Sequence, residues 1–410
     1  MKFGRYLTVM MSSWLLAAAM VAVFNLLVDA TGISPVRVAV AGFNKWKPLR
    51  DDHDWIVKRY DIRRSQPTTI FMGSSRVKQS IDPRLVVGTG YAPAYNGGIN
   101  GVANFTETKS YLQYYLQADK HLQYVFVEAF ASALLFHRDR GATVRRDPRD
   151  GPPLDQPKNR PLVEFGLANN LADFASVFFS MGGLSSAIRT VSLNLGQRNL
   201  PNAGSSEDGF APIALAPHHF SVRNVFNFVL HTGFMERGGG LFPATLAAAR
   251  EMIAECELYK VDCRFFLSPL HADVLLAMYH LGLWSEVEKL KRGLAELAPT
   301  YDFTRYNQLI EERSGPVVYW PEAFHFSAAL GELVVRAMTG MRTADMPQNF
   351  GVVLDSKNIE ANLTAWREER DVWIAQHPDS VERMRKAEDD FSNGISFKAV
   401  TDAEIAAGGW

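Results

Sequence analysis

Near the first fifth of the chain a short apolar run, Thr69 to Met72, is closed by Gly73-Ser74-Ser75-Arg76, a glycine, two small hydroxyl residues and a cation. An apolar β-run that meets glycine and then a polar segment predicts a strand turning sharply into a helix. That puts a serine at the carboxyl end of a strand, the edge where open α/β sheets collect ligands because helix N-termini supply unbonded N–H groups. Such a serine is either a nucleophile or the N-cap of the helix. Its hydroxyl is a weak nucleophile at neutral pH and needs an imidazole to take its proton, while the imidazole needs a carboxylate to fix its tautomer and stabilise its cation. Glu322 and His325, spaced i and i+3 late in the chain, lie on one side of a turn and supply both groups. Serine, histidine and glutamate together point to acyl transfer through a covalent ester.

The elements that must position these groups follow an α/β rhythm. After the 69–72 strand, residues 94–99 read as a second short strand ending in a glycine-rich turn, Asn96 to Gly101, that feeds a helix over 103–118 with Tyr111, Leu112, Tyr115 and Leu116 on its apolar face. Gln123 to Phe130 is almost continuously apolar, as expected for a strand buried on both faces of a parallel sheet. The order β-α-β-α-β predicts a doubly wound layer. From about 137 to 240 the pattern breaks into a Pro-, Gly- and Asn-rich stretch with short apolar helical pieces, read as a mostly helical insertion that serves as cap, lid or docking element for an envelope protein partner. The rhythm resumes with a helix to Glu257, a strand over 261–267 ending in Ser268-Pro269-Leu270-His271, a helix over 284–298, an extended piece around Tyr301 to Thr304 and a helix over 327–338. The expected domains are an N-terminal anchor (1–30), a juxtamembrane linker (31–67), the α/β domain (68–345) and a charged C-terminal tail (346–410).

Composition narrows the function classes. The chain has 410 residues, 47% hydrophobic and 21% charged, with a formal net charge of −1 and no basic cluster interleaved with aromatics, so nucleic acid has no electrostatic reason to bind. Lys2 and Arg5 precede an uncharged, mostly apolar run from Tyr6 to Val28, about 35 Å long as a helix and enough to cross a bilayer. The run is longer than a cleavable signal core and has a poor cleavage site, which favours a single-pass anchor with the main domain outside the cytoplasm. Partnership with the membrane follows from this helix alone. Cys256 and Cys263 read equally well as a disulfide in an oxidising compartment or as two buried thiols. His218, His219 and His231 lack acidic neighbours at ligand spacing, and no metal site is expected.

The chain resembles the SGNH/GDSL hydrolase superfamily over about residues 65 to 340. In that family the nucleophile follows the first strand in Gly-Asp-Ser, and Asp-x-x-His precedes the final helix. Gly73-Ser74-Ser75 matches the first motif with Ser for Asp, which selects Ser75 as nucleophile and leaves Ser74 as the alternative; Glu322-Ala-Phe-His325 matches the last with Glu for Asp. Tyr95 to Glu107 resembles the second block, and the resemblance implies that the Gly101 N–H helps bind the oxyanion, where the absence of a Cβ permits close approach. The third block departs: Val127-Glu128-Ala129-Phe130 stands where the family carries an Asn, leaving Asn104 as substitute donor if its side chain turns inward. The same departure occurs in membrane-anchored exported relatives such as the teichoic acid D-alanyl transfer protein and the alginate O-acetylation proteins. The resemblance implies a three-layer α/β/α flavodoxin-like domain with a parallel sheet, no cofactor, and esterase or O-acyltransferase activity on an acylated polysaccharide or other envelope ester. Arg76, His271 and Asn307 are candidate substrate contacts. The rival expectation is a catalytically silent scaffold of the same fold that binds a polysaccharide or an assembly partner. A nucleotide binder is disfavoured because Gly-Ser-Ser-Arg lacks the glycine pattern and lysine of a phosphate loop.

Overall fold

Apolar periodicity along the chain resolves into twelve helices and six strands among the described residues. The computed structural model describes residues 2–34, 38–48, 50–102, 104–131, 167–196, 206–212, 243–311, 317–321 and 323–393. In chain order the helices are α1 (Lys2–Val28), α2 (Asp54–Ser65), α3 (Ser75–Ser80), α4 (Phe105–Ala118), α5 (Leu167–Phe178), α6 (Met181–Gly196), α7 (Pro243–Tyr259), α8 (Ala272–His280), α9 (Trp284–Leu297), α10 (Ala328–Met338), α11 (Ile359–Gln376) and α12 (Pro378–Ser392). The strands are β1 (Thr69–Met72), β2 (Ala94–Asn96), β3 (Tyr124–Ala129), β4 (Asp262–Leu267), β5 (Thr300–Asp302) and β6 (Val352–Leu354). They divide between two units, residues 1–64 with 143–211 and residues 65–142 with 212–410.

The second unit is an α/β fold around one six-stranded sheet in the order β2-β1-β3-β4-β5-β6. The first five strands are parallel, and β6 joins β5 antiparallel, opposing Tyr301 with Val353. The sheet is therefore mixed, where a parallel one was expected. β1 is buried along its length because its neighbours flank it on both sides, Phe71 lying beside Asn96 of β2 and Phe126 of β3. Alternate strand residues meet different helices, as the two-residue period requires. Phe71, Phe126, Phe266 and Tyr301 pack with Val77 and Ile81 of α3 and with Leu330, Val334 and Met338 of α10. At each fully buried aromatic or aliphatic side chain, removal from water contributes about 1.5–3 kcal/mol. Residues of the other parity serve the other helices: Phe265 meets Phe105 of α4, and Asp302 meets Lys291 of α9.

The stretch after residue 345, expected as a charged tail, belongs to this unit. It supplies β6, and Trp366 of α11 is fully buried, stacked on Trp284 at 3.7 Å with its indole N–H donating to Thr304 O at 3.0 Å. Mixed charge along α11 hid the buried stripe. A disulfide joins Cys256 at the end of α7 to Cys263 at the start of β4, with the Cα atoms 6.1 Å apart.

The first unit corrects the linker expected at 31–67. Ile56 and Val57 of α2 form a core with Ile33, Val177 and Phe178, and the charges that suggested a stalk are paired inside it: Arg50 with Asp61, Arg59 with Asp173, and Lys58 donating to Gly209 O at 3.0 Å. The described part of the expected insertion is helical, and α5 and α6 group with the N-terminal residues. His218, His219 and His231 lie outside the described residues. α1 is long and apolar enough to cross a membrane, with mean hydropathy 2.0 and 6% of its most apolar window buried; a signal sequence has the same length and composition.

Candidate active site

Ser75 is the first residue of α3, directly after the β1 turn, and its Oγ lies 2.8 Å from Nε2 of His325 across 250 positions of sequence. Both side chains are half-buried. The turn sits where the chain order reverses, since β1 has β2 on one side and β3 on the other. In doubly wound sheets the crevice opens at this point.

Close backbone packing holds the serine in place. A Cβ on Gly73 would fall 2.5 Å from both Cβ and Oε2 of Glu128, and one on Gly98 would fall 2.4 Å from Lys78 N and 2.9 Å from Ser74 O. The segment after β2 clamps the turn further: Gly97 N donates to Phe71 O at 2.7 Å and Ile99 N to Gly73 O at 2.9 Å. Asn96 closes the far end of α3, its amide donating to Val77 O at 2.7 Å and Ile81 O at 2.6 Å. The bond to Ile81 O satisfies the carbonyl of the C-cap residue, while Val77 O also accepts the Ile81 N–H at 3.0 Å.

The histidine is tied to the same short helix. His325 lies in the loop that Ser327 terminates as N-cap of α10; Ser327 N donates to Tyr319 O at 2.8 Å. The Ser80 hydroxyl at the end of α3 donates to Phe326 O, one residue past the imidazole. Gly331 of α10 packs directly on Ser80, where an added Cβ would lie 1.7 Å from its carbonyl oxygen. Serine and histidine are thus carried on elements that touch at Ser80. Glu322, expected to orient the imidazole, lies outside the described residues.

Beneath Ser75 lies a carboxylate that motif reading passed over. Glu128, near the end of β3, accepts from Ser74 N at 2.8 Å and Ser74 Oγ at 2.7 Å through Oε2, and its Oε1 lies 3.4 Å from Arg76 Nε. The Arg76 guanidinium also donates to Pro269 O and rests 4.3 Å from the centre of the Phe130 ring. Both side chains of the pair are 1% exposed. A buried carboxylate without a cation and hydrogen bonds is strongly unfavourable, so these partners explain why Glu is tolerated in an otherwise apolar strand. The available signal was Glu128 itself, a charge in a run buried on both faces.

Other expected site residues have structural roles. Ser74, the alternative nucleophile, is the N-cap of α3, its Oγ accepting from Arg76 N at 3.2 Å while donating to Glu128. Arg76 is a buried ion-pair partner of Glu128, which removes it as an exposed anion contact. His271 is the N-cap of α8, 1% exposed, its Nδ1 accepting from Asp273 N at 3.2 Å and its ring edge-on to Trp320. Asn307 caps the short turn at Gln308–Ile310 and spends its amide on Arg305 O and Asn349 Oδ1. Gly101 has φ +79° with open space around it, so its glycine answers a backbone requirement, and the close approach to the serine turn is made by Gly98. Asn104 is the N-cap of α4: its Oδ1 accepts from Glu107 N at 2.8 Å, so the cap uses the oxygen and not the amide nitrogen.

Compared with known proteins, the chain matches no family model, no curated protein and no solved structure.

Proposed function

We propose that the chain is a membrane-tethered, extracytoplasmic serine esterase or O-acyltransferase of SGNH-like, three-layer flavodoxin-like fold, acting on acyl esters of a cell-envelope or exported polysaccharide. The observation that carries this reading is the 2.8 Å contact between Ser75 Oγ and His325 Nε2 at the strand-order reversal. The parallel order β2-β1-β3-β4-β5 supports the fold assignment, and the Cys256–Cys263 disulfide supports an oxidising compartment.

In the first half-reaction Ser75 Oγ attacks the ester carbonyl as its proton passes to His325 Nε2. The tetrahedral oxyanion collapses, the C–O bond to the alcohol breaks, and the imidazolium returns the proton to the departing alkoxide. In the second half-reaction His325 takes a proton from water or a sugar hydroxyl, which attacks the acyl-serine; collapse regenerates the Ser75 hydroxyl and releases acid or a new ester. Ser75, as the first helical residue, has no carbonyl one turn earlier to receive its own N–H, which makes that N–H a donor to the oxyanion. Asn104 Nδ2, left over by the α4 cap, is the second donor in this reading, and Glu322 orients His325.

Fluorophosphonate labelling of the detergent-solubilised full chain tests the proposal. Labelling and p-nitrophenyl acetate turnover are expected in the native protein, with Ser75→Ala abolishing labelling and His325→Ala slowing turnover by at least about 10³-fold. A native chain that is folded yet neither labelled nor active supports the silent scaffold instead, for which the absent third-block Asn is the favouring observation.

A further inference from the structure

The first unit presents an apolar collar where α1 leaves its long exposed stretch. From Phe3 to Met20 the described side chains of α1 are exposed, about 27 Å of helix; burial then begins on one face, at Ala22, Asn25 and Val28. A hydrocarbon layer is about 30 Å thick. The burial therefore starts within about one helical turn of where a spanning helix would emerge.

What buries that face is the α5–α6 hairpin, and its tip lies at the Asn25 level. Asn25 Nδ2 donates to Phe178 O at 3.0 Å, at the C-terminal end of α5, and Gly183 is required there because a Cβ would meet Val177 O at 1.9 Å and Asn25 Nδ2 at 3.2 Å. Further along, Ala187 and Val191 of α6 pack with Val28 and Ala30, and Asn194 holds Trp46 through reciprocal bonds of 3.0 and 2.8 Å. α6 thus runs away from the apolar beginning of α1, and the hairpin tip is its end nearest the membrane-spanning part. At this tip Phe179 and Met181 are 71% and 73% exposed.

We propose that this tip enters the bilayer that α1 crosses, with Phe179 and Met181 seated at the boundary between headgroups and acyl chains. The inference rests on reading α1 as a retained anchor. Lipid is the occupant because the hairpin tip, held at Asn25, continues the exposed apolar surface of Val23, Leu26 and Leu27 on α1. Burying large apolar side chains at that depth adds membrane affinity and fixes how the first unit is oriented on the surface.

The test uses the full chain reconstituted in phosphatidylcholine–phosphatidylglycerol liposomes, with single spin labels on Phe179→Cys, Met181→Cys, Leu15→Cys and Ser192→Cys; the native cysteines are paired and do not label. Collision with oxygen and with a water-soluble nickel chelate reports depth. The oxygen-to-nickel ratio at 179 and 181 is expected to be several-fold above that at 192 and to approach that at 15. Values at 179 and 181 equal to 192, with 15 in lipid, overturn the inference while leaving the anchor intact. Labels at 179 and 181 shielded from both reagents indicate a protein contact and overturn it too. An aqueous Leu15 label, or loss of the N-terminal helix from the mature chain, removes the anchor reading and this inference together.

Discussion

Glu128 decides how the Ser75 turn is built. Its carboxylate binds both the N–H and the hydroxyl of Ser74 and balances Arg76, so one side chain fixes the cap of α3 and hence the direction of Ser75. Replacing Glu128 with Gln keeps the volume and an acceptor for Ser74 but removes the buried negative charge that faces Arg76. Breaking a buried pair in this way costs about 3–5 kcal/mol. The expected outcome is a lower melting temperature and slower fluorophosphonate labelling of Ser75. A double variant, Glu128→Leu with Arg76→Met, is expected to recover much of the stability but not the labelling rate, because Ser74 then has no acceptor. Parallel thermal scans and labelling time courses check both parts. The serine and histidine were legible from Gly-Ser-Ser and Glu-x-x-His because those residue types imply each other chemically. Glu128 was not, because the third strand was read for the Asn it lacked and not for the charge it carries.

At the scale of elements, the joint between α9 and β5 carries its own pH dependence. Asp302 and Lys291 are 2.8 Å apart, with side chains 2% and 1% exposed. Burial pushes the Asp302 carboxyl up, but the Lys291 ammonium and the Thr304 hydroxyl and N–H outweigh it and hold the carboxyl below its ordinary value of 3.8. A carboxyl whose folded value is depressed adds stability that is complete above the unfolded value and disappears as the pH falls through the folded one. Melting temperatures followed from neutral pH to below 3.8 are expected to fall on the acid side for the native chain and to fall less for Asp302→Asn, whose starting stability is lower. Equal acid slopes would contradict this account. The same joint shows where pattern reading works and where it stops. Apolar runs gave β1 and β3, but β6 is an apolar run of only three residues, Val352 to Leu354, too short to stand out, and α11 looks solvated because Trp366 is a large buried residue among charges. The linker at 31–67 failed for a related reason: Lys58 and Arg59 find buried partners 151 and 114 positions away, beyond any local window, and Arg50 meets Asp61 only once the segment folds.

For the molecule as a whole, the disulfide links compartment to stability. Cys256 and Cys263 close a loop with a sequence separation of 7, for which chain entropy gives about 2 kcal/mol. Protein taken from membranes of a cell that exports it is expected to resist alkylation until reduced, and a Cys256→Ser/Cys263→Ser variant to melt at lower temperature. Two freely alkylated thiols in the native protein would argue against an oxidising compartment. The two units are built from interleaved segments, which no boundary drawn at a composition change could have revealed.

That interleaving has a consequence for biosynthesis. Asn25, a buried amide in the apolar helix, finds its acceptor at Phe178, a separation of 153 residues. A ribosome adding roughly 5–20 residues per second needs about 8–30 s to make that length. For that interval the newborn helix holds an amide whose acceptor at Phe178 has not been made, so other groups must hydrogen-bond it until the hairpin arrives.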